Sequence, residues 1–174
     1  LDRLASDILD VTKIESKSLK LEKTYFNLND ILSNSIRDIQ NQVFSGDIGT
    51  KNLKIVYDPV NIRISGDKER INQVISNLLS NALKFTDEGF IKIEVENSND
   101  NVIISVEDTG SGIHPEIFPR LFCKFATKSD KGTGLGLYIS KNIIDAHGGR
   151  IWAQNNKSGI GATFFFSIPL EKKK

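Results

Sequence analysis

Over the first 23 residues, LDRLASDILDVTKIESKSLKLEK, apolar side chains recur at helical spacing. Leu1, Leu4, Ile8 and Val11 fall on an a/d seam, and Leu9 and Ile14 widen the stripe. Four seam positions are too few for a free-standing coiled coil. The pattern therefore predicts one arm of a helical hairpin or dimer, or a terminal helix docked on a core. A second helix is expected from about Asn27, whose side chain suits the N-cap, with Phe26 and Ile31 placed as a hydrophobic staple. Its apolar face is Leu28, Ile31, Leu32, Ser35, Ile36 and Ile39. The stretch SGDIGTKN reads as a loop, and two short strands, 53–57 and 62–65, flank Asp58-Pro59.

Asp67 opens a third helix, in which Ile71, Val74, Ile75, Leu78, Leu79, Ala82 and Leu83 repeat to about Phe85. The pattern then changes to alternation. IKIEVEN (91–97) predicts a strand with one wet face, and VIISVED (102–108) a more buried hairpin partner. Residues 109–136 carry no long periodic element and hold five glycines, a loop of functional length. A helix over 137–147 should stop at Gly148-Gly149. Strands at 150–155 and 162–168 close the pattern. This order favours an α+β fold, a two-layer sandwich with a mixed, mostly antiparallel sheet and helices on one face.

Composition narrows the class. The chain has 174 residues, with 23 Lys plus Arg against 22 Asp plus Glu, so no strong field favours nucleic acid or an anionic membrane. The single Cys123 excludes an internal disulfide framework and suits a cytoplasmic setting. Apolar runs fall short of the ~18–20 residues of a membrane span. The sequence starts at Leu1 and contains no Met, which suggests a fragment of something longer.

Four clusters carry candidate chemistry. Asn77, Asn81 and Lys84 lie at i, i+4 and i+7, so they share one helix face opposite the apolar stripe. Amide oxygens suit Mg²⁺, and the ammonium suits a phosphate. Asp108-Thr109-Gly110-Ser111-Gly112 ends a buried strand, where a carboxylate could accept a hydrogen bond from an exocyclic base amine. The same residues also suit a plain Asp-Gly turn. Gly132-Thr133-Gly134-Leu135-Gly136-Leu137 precedes a helix, whose exposed N–H groups would meet an anion. Between the glycine clusters, Phe118, Phe122 and Phe125 with Lys124 and Lys128 suggest a lid anchored by phenylalanines.

In this order the four clusters resemble the N, G1, F and G2 boxes of sensor histidine kinases. The chain resembles their catalytic ATP-binding domain, in the superfamily that includes gyrase, MutL and the large heat-shock chaperone. The flanks DKERINQVISNLLSNALKFT and IIDAHGGRIWAQNNKSGIGATFFFSIP extend the likeness over nearly the whole chain. The resemblance implies a Bergerat-type fold and the cofactors ATP and Mg²⁺. It implies that Asn81 holds the metal, that Asn77 and Lys84 sit by the phosphates, and that these three form the catalytic set. It implies that Asp108 reads the adenine amine, directly or through water, with Gly112 beside the base, and that Gly110 and Ile113 belong to the nucleotide-binding set. Residues 113–131 would be the ATP lid, packed by Phe122 and Phe125, with Lys128 as its basic residue. Gly132, Thr133, Gly134, Leu135, Gly136, Leu137 and Thr163 complete the implied nucleotide set.

Residues 1–26 resemble part of a dimerisation and phosphotransfer hairpin whose His-bearing helix is missing. Residues 27–170 would be the catalytic domain and 171–174 a basic tail. The implied partners are that helix bundle, a second copy of the kinase and a response-regulator receiver domain, with no nucleic acid. His114 and His147 do not suit the phosphoacceptor role, so the fragment is expected to bind ATP without autophosphorylating. A hydrolysing ATPase of the superfamily is the nearest alternative, but it would carry a Glu base where Asn77 stands, and an amide cannot take that proton. A serine or anti-sigma-type kinase is another, and a non-catalytic module with decayed motifs a third.

Overall fold

A computed structural model describes residues 2–45, 52–98, 100–127 and 132–171. The first helix, α1 (Asp2–Glu15), is shorter than the apolar spacing predicts. It ends because Lys17 turns left-handed at φ 53°. The amide of Ser18 then donates to the carbonyl of Lys13 at 2.9 Å and that of Lys17 to Ile14 at 3.0 Å, a Schellman closure. After it, β1 (Thr24–Asn27), which the pattern did not foretell, pairs antiparallel with β3 (Arg63–Gly66). The second helix, α2 (Leu28–Ser45), begins where expected. Asn27 Oδ1 accepts from the amide of Asn29 at 3.0 Å, satisfying one of the helix's open donors. Of the expected loop SGDIGTKN (45–52), residues 46–51 lie outside the described residues, while Ser45 closes α2 and Asn52 opens the next strand.

The main sheet has five strands in the order β2 (Asn52–Tyr57), β4 (Glu88–Asn97), β5 (Asn101–Asp108), β7 (Ala162–Pro169) and β6 (Arg150–Asn155). Only the β2–β4 pairing is parallel, so the sheet is mixed and mostly antiparallel as predicted. Both predicted hairpins are present. One face is dry: Ile91, Ile93, Val102, Ile104, Val106, Phe166 and Ile168 are buried against α2, α3 (Lys68–Phe85) and α4 (Gly136–Ala146). At ~25 cal/mol per Å² of apolar area, this layer is the main source of stability. The opposite face carries Lys92, Glu94 and a stacked Trp152–Phe165 pair with centroids 5.1 Å apart.

Two devices orient α3, the helix bearing the polar stripe. Asp67 caps it, accepting from the amide of Arg70 at 3.1 Å. The amide of Asp67 in turn donates to His147 Nε2 at 2.9 Å. His147 Nδ1 lies 2.8 Å from the Ile143 carbonyl, so the neutral ring is fixed with its proton on Nδ1. Burial holds its pKa below the ordinary histidine value. The ring thereby links the C-terminus of α4 to the N-terminus of α3, a structural role. Gly148, at φ 75°, makes the expected stop of α4, with Gly149 N–H bonded to the Ile144 carbonyl at 3.0 Å.

Candidate functional site

A cavity of about 730 Å³ opens between α3, the end of β5, the 113–127 segment and the N-terminus of α4. This is the size of a pocket for a small organic ligand. Asn77, Asn81 and Lys84 line one wall, as their i, i+4, i+7 spacing predicts. Asp108, Gly112 and Ile113 line the inner end, and Gly132, Thr133, Gly134, Gly136 and Leu137 lie at the mouth of α4. Three clusters scattered over sixty residues of sequence thus meet in one space. Lys84 and Gly132 are close enough that a Cβ on Gly132 would lie 2.9 Å from Lys84 Nζ. Asn77 Nδ2 donates to the Gly136 carbonyl and to Ser140 Oγ, each at 3.2 Å, pinning the start of α4 to α3.

The inner end is built around Asp108, which is 4% exposed. Its Oδ1 accepts from the amides of Gly110 at 2.9 Å and Ala162 at 3.3 Å. Burial pushes its pKa up, and those two bonds only partly offset the shift. Apolar Ile113, Ile117, Leu121, Ala162 and Phe164 form the surroundings, a slot suited to a flat, weakly polar ring with one polar edge. The other end offers amides, an ammonium and the N-terminus of α4, donors suited to phosphate.

Several sequence expectations need correction. Thr163 does not line the cavity. It pairs with Glu107, so strand alternation turns it to the opposite face from Asp108, and its hydroxyl donates to Asn156 Oδ1 at 2.7 Å. Ala162 and Phe164 face the cavity in its place. Phe125 does not line the cavity: it is 69% exposed, with its backbone left-handed at φ 58°. Its backbone instead fills the space over Gly134, where a Cβ would come within 2.7 Å of Phe125 Cα. Phe122 is half-buried and joins both apolar clusters. Leu135 is buried in the core just before α4, and Gly110 packs on the Phe85 carbonyl; neither lines the cavity. Lys128 lies outside the described residues, as do 129–131 of the expected lid.

Of the lining, sequence reasoning missed Ser80, Phe85, Ala162 and Phe164, while Ser111, His114, Ile117, Leu121, Ala126 and Thr127 fall within the Asp108–Gly112 cluster and the expected lid without having been singled out. It also missed Leu4 and Asp7, which α1 brings to the cavity. Helix α1 is held there by buried Asp10, whose carboxylate accepts from Arg70 Nη1 and Gln73 Nε2, both at 2.7 Å. Near its end, Glu15 pairs with Lys124 of the 113–127 segment.

Among the described residues no helix is long and apolar enough to cross a membrane, and no trio of His, Cys, Asp or Glu could hold a metal.

Comparison with known proteins accords with this geometry. Residues 66–172 match the family described as histidine kinase-, DNA gyrase B-, and HSP90-like ATPase. Sensor histidine kinase RcsC of Escherichia coli K12 is 38% identical over 97% of this chain, which spans 18% of that protein. Hybrid signal transduction histidine kinase B of Dictyostelium discoideum is 37% identical over 95% of this chain, 9% of that protein. The chain thus spans under a fifth of the length of these relatives. Among solved structures, the catalytic domain of histidine kinase ThkA superposes with a TM-score of 0.74 at 35% identity, covering 86% of this chain and 98% of that one. Full-length ShkA, in complex with AMPPNP, gives 0.84 at 26% identity, covering 98% and 36%. ThkA in complex with the response regulator protein TrrA gives 0.73 at 31% identity, covering 98% and 49%.

Proposed function

Because this chain belongs to the histidine kinase-, DNA gyrase B- and HSP90-like ATPase family, we propose that it binds Mg-ATP and is the catalytic part of a two-component sensor histidine kinase. The observation that supports this best is the joining of Asp108, the α3 amide stripe and the glycine-rich start of α4 around one cavity. In this reading the adenine lies in the slot of Ile113, Ile117, Ala162 and Phe164, with its amine on the Asp108 carboxylate. Lys84 and the backbone at Gly132–Gly136 take the phosphates. Asn81, with Asn77 beside it, presents hard amide oxygens of the kind Mg²⁺ accepts, and their place on the polar wall fits that ion. When bound, the ion would neutralise phosphate charge during transfer.

The domain's own residues contribute position and charge rather than a covalent intermediate. Asn77 stands where a water-activating base would be needed, and an amide cannot serve as one. That favours a kinase over a hydrolase, so water attack should be slow. In the intact protein the γ-phosphoryl goes to a His nitrogen on a separate helix and then to an Asp of a receiver domain. Residues 1–26 belong to the dimerisation and phosphotransfer hairpin, and 27–170 to the catalytic domain. A homodimeric parent follows from that assignment, and the fragment suits the cytoplasm.

The test has two stages. Calorimetry with Mg-ATP should give saturable binding that Asp108→Ala weakens tenfold to a hundredfold, the ~1–3 kcal/mol of one buried hydrogen bond. Unchanged affinity would overturn the base assignment. The fragment with a His-bearing helix restored should then acquire label from γ-labelled ATP on that His, whereas label retained stably on the present chain would contradict the assignment.

A further inference from the structure

Resting on the reading that Asp108 meets the base, we infer that Asn156, oriented by Thr163, is a positioning residue that sets how strongly the site selects a purine carrying an exocyclic amine. Asn156 sits outside the cavity lining, at the start of the turn between β6 and β7. Its side chain makes three bonds at once. Nδ2 donates to the Asp108 carbonyl at 2.8 Å and to the Ile160 carbonyl at 2.9 Å, while Oδ1 accepts from Thr163 Oγ1 at 2.7 Å. The two carbonyls, which can only accept, fix the amide's orientation: Nδ2 must face them, which leaves Oδ1 to accept from the Thr163 hydroxyl.

The backbone of Asn156 organises the same turn. Its amide donates to the Gly161 carbonyl at 3.1 Å, and its carbonyl accepts from Gly159 at 2.9 Å. This folded turn delivers the Ala162 amide to Asp108 Oδ1. Both bonds from Gly110 and Ala162 fall on Oδ1, so Oδ2 is the oxygen presented to a ligand. The neighbouring Asn155 closes the far end of the loop, its Oδ1 accepting from the Ile113 amide at 2.7 Å and its Nδ2 donating to the Ile113 carbonyl at 3.1 Å. Two consecutive asparagines thereby grip both ends of the 108–113 loop. Hydrogen-bond strength falls steeply once the angle is spoiled, so an acceptor must be aimed as well as present.

The experiment compares Mg-ATP with the Mg complex of purine riboside 5′-triphosphate, which lacks only the exocyclic amine, by calorimetry on the parent chain, Asp108→Ala and Asn156→Ala. The parent should prefer ATP by about tenfold to a hundredfold. Asn156→Ala should reduce that preference at least about fivefold, with the affinity for purine riboside triphosphate held within about twofold. The double variant should match Asp108→Ala alone. Equal weakening of both nucleotides would mark a merely structural role and overturn the inference. Full preference retained in Asn156→Ala would overturn it while leaving the Asp108 reading intact. No preference in the parent would overturn both. If Asn156→Ala does not fold, the isosteric Thr163→Val replaces it: the preference should fall about twofold to fivefold, and an unchanged preference counts against the inference.

Discussion

The two ends of the cavity are built in different ways. At the inner end, side-chain and backbone bonds from β4, β6, the turn after it, β7 and the end of α3 converge on six residues, 108–113. At the outer end the wall is made of a helix start, long side chains and the backbone at Phe125 lying on Gly134. The inner end is an extension of the sheet, tied to it by hydrogen bonds. The outer end depends on how α1, α3 and α4 sit together, since Leu4 and Asp7 of α1 reach its lining. In the proposed reading, a site so divided would hold a base in one fixed pose while its phosphate end answers to the position of a separate helix.

Glycine substitutions should separate the ends most strongly. At Gly161 a Cβ would lie 1.9 Å from the Asp108 carbonyl oxygen, and its φ is 77°. Left-handed strain of ~1–2 kcal/mol adds to overpacking of ~1–3 kcal/mol, so Gly161→Ala should cost about 2–5 kcal/mol in urea unfolding and abolish tight ATP binding. At Gly132 the added methyl meets, among the described residues, the far end of the Lys84 side chain. Gly132→Ala should therefore change stability by less than about 1 kcal/mol and weaken ATP binding modestly. Similar losses in both variants would break the comparison.

The hold of α1 on the outer end is tested next. Asp10 is 4% exposed and bonded to both Arg70 and Gln73. Asp10→Ala leaves those donors without their acceptor, a loss of about 1–3 kcal/mol. The effect should be local: amide exchange should speed across α1, while residues 108–113 keep their protection. Faster exchange at both places would mean that the inner end also depends on α1.

How much of this was legible in the sequence follows the same division. Asn77, Asn81 and Lys84 were readable because helical periodicity fixes a shared face. Asp108 and the start of α4 were readable because glycine spacing and strand ends are local signals. The anchoring of α1 by Asp10 on Arg70 was not, since it spans sixty residues of sequence and leaves no periodic trace. Thr163 was misassigned for want of parity: its pairing with Glu107 puts it one residue out of phase with Asp108, and only the register reveals that. Phe125 was misassigned because nothing local announces a left-handed phenylalanine. The 24–27 strand was too short, at four residues, for alternation to register.

Acid should act on the two ends with opposite signs, and this is the smallest of the expected effects. His147 secures α3 and α4, the helices of the outer end, and burial holds its pKa below the unfolded value of ~6.5. The unfolded chain therefore takes up that proton first. Stability from His147 is full above pH ~6.5 and is lost as pH falls below it, by at most about 1.4 kcal/mol per pH unit. Asp108 behaves in reverse. Burial raises its pKa above the unfolded ~3.9, so the folded chain takes the proton first. Its buried charge costs stability at neutral pH, and that cost is relieved as pH falls through its raised pKa. Asp108→Asn keeps an oxygen for the Gly110 and Ala162 amides and removes the charge. It should leave the nucleotide-free protein as stable as the parent or slightly more so at pH 7.5, while weakening ATP binding. His147→Gln should flatten the pH dependence between 7.5 and 5.5 whatever it does to absolute stability, and Asp108→Asn should leave that slope unchanged. Urea unfolding of the three proteins across that range decides it. A slope that survives His147→Gln would place the acid-sensitive group elsewhere, and a nucleotide-free Asp108→Asn less stable than the parent would mean that the inner end is not held at a cost in desolvation.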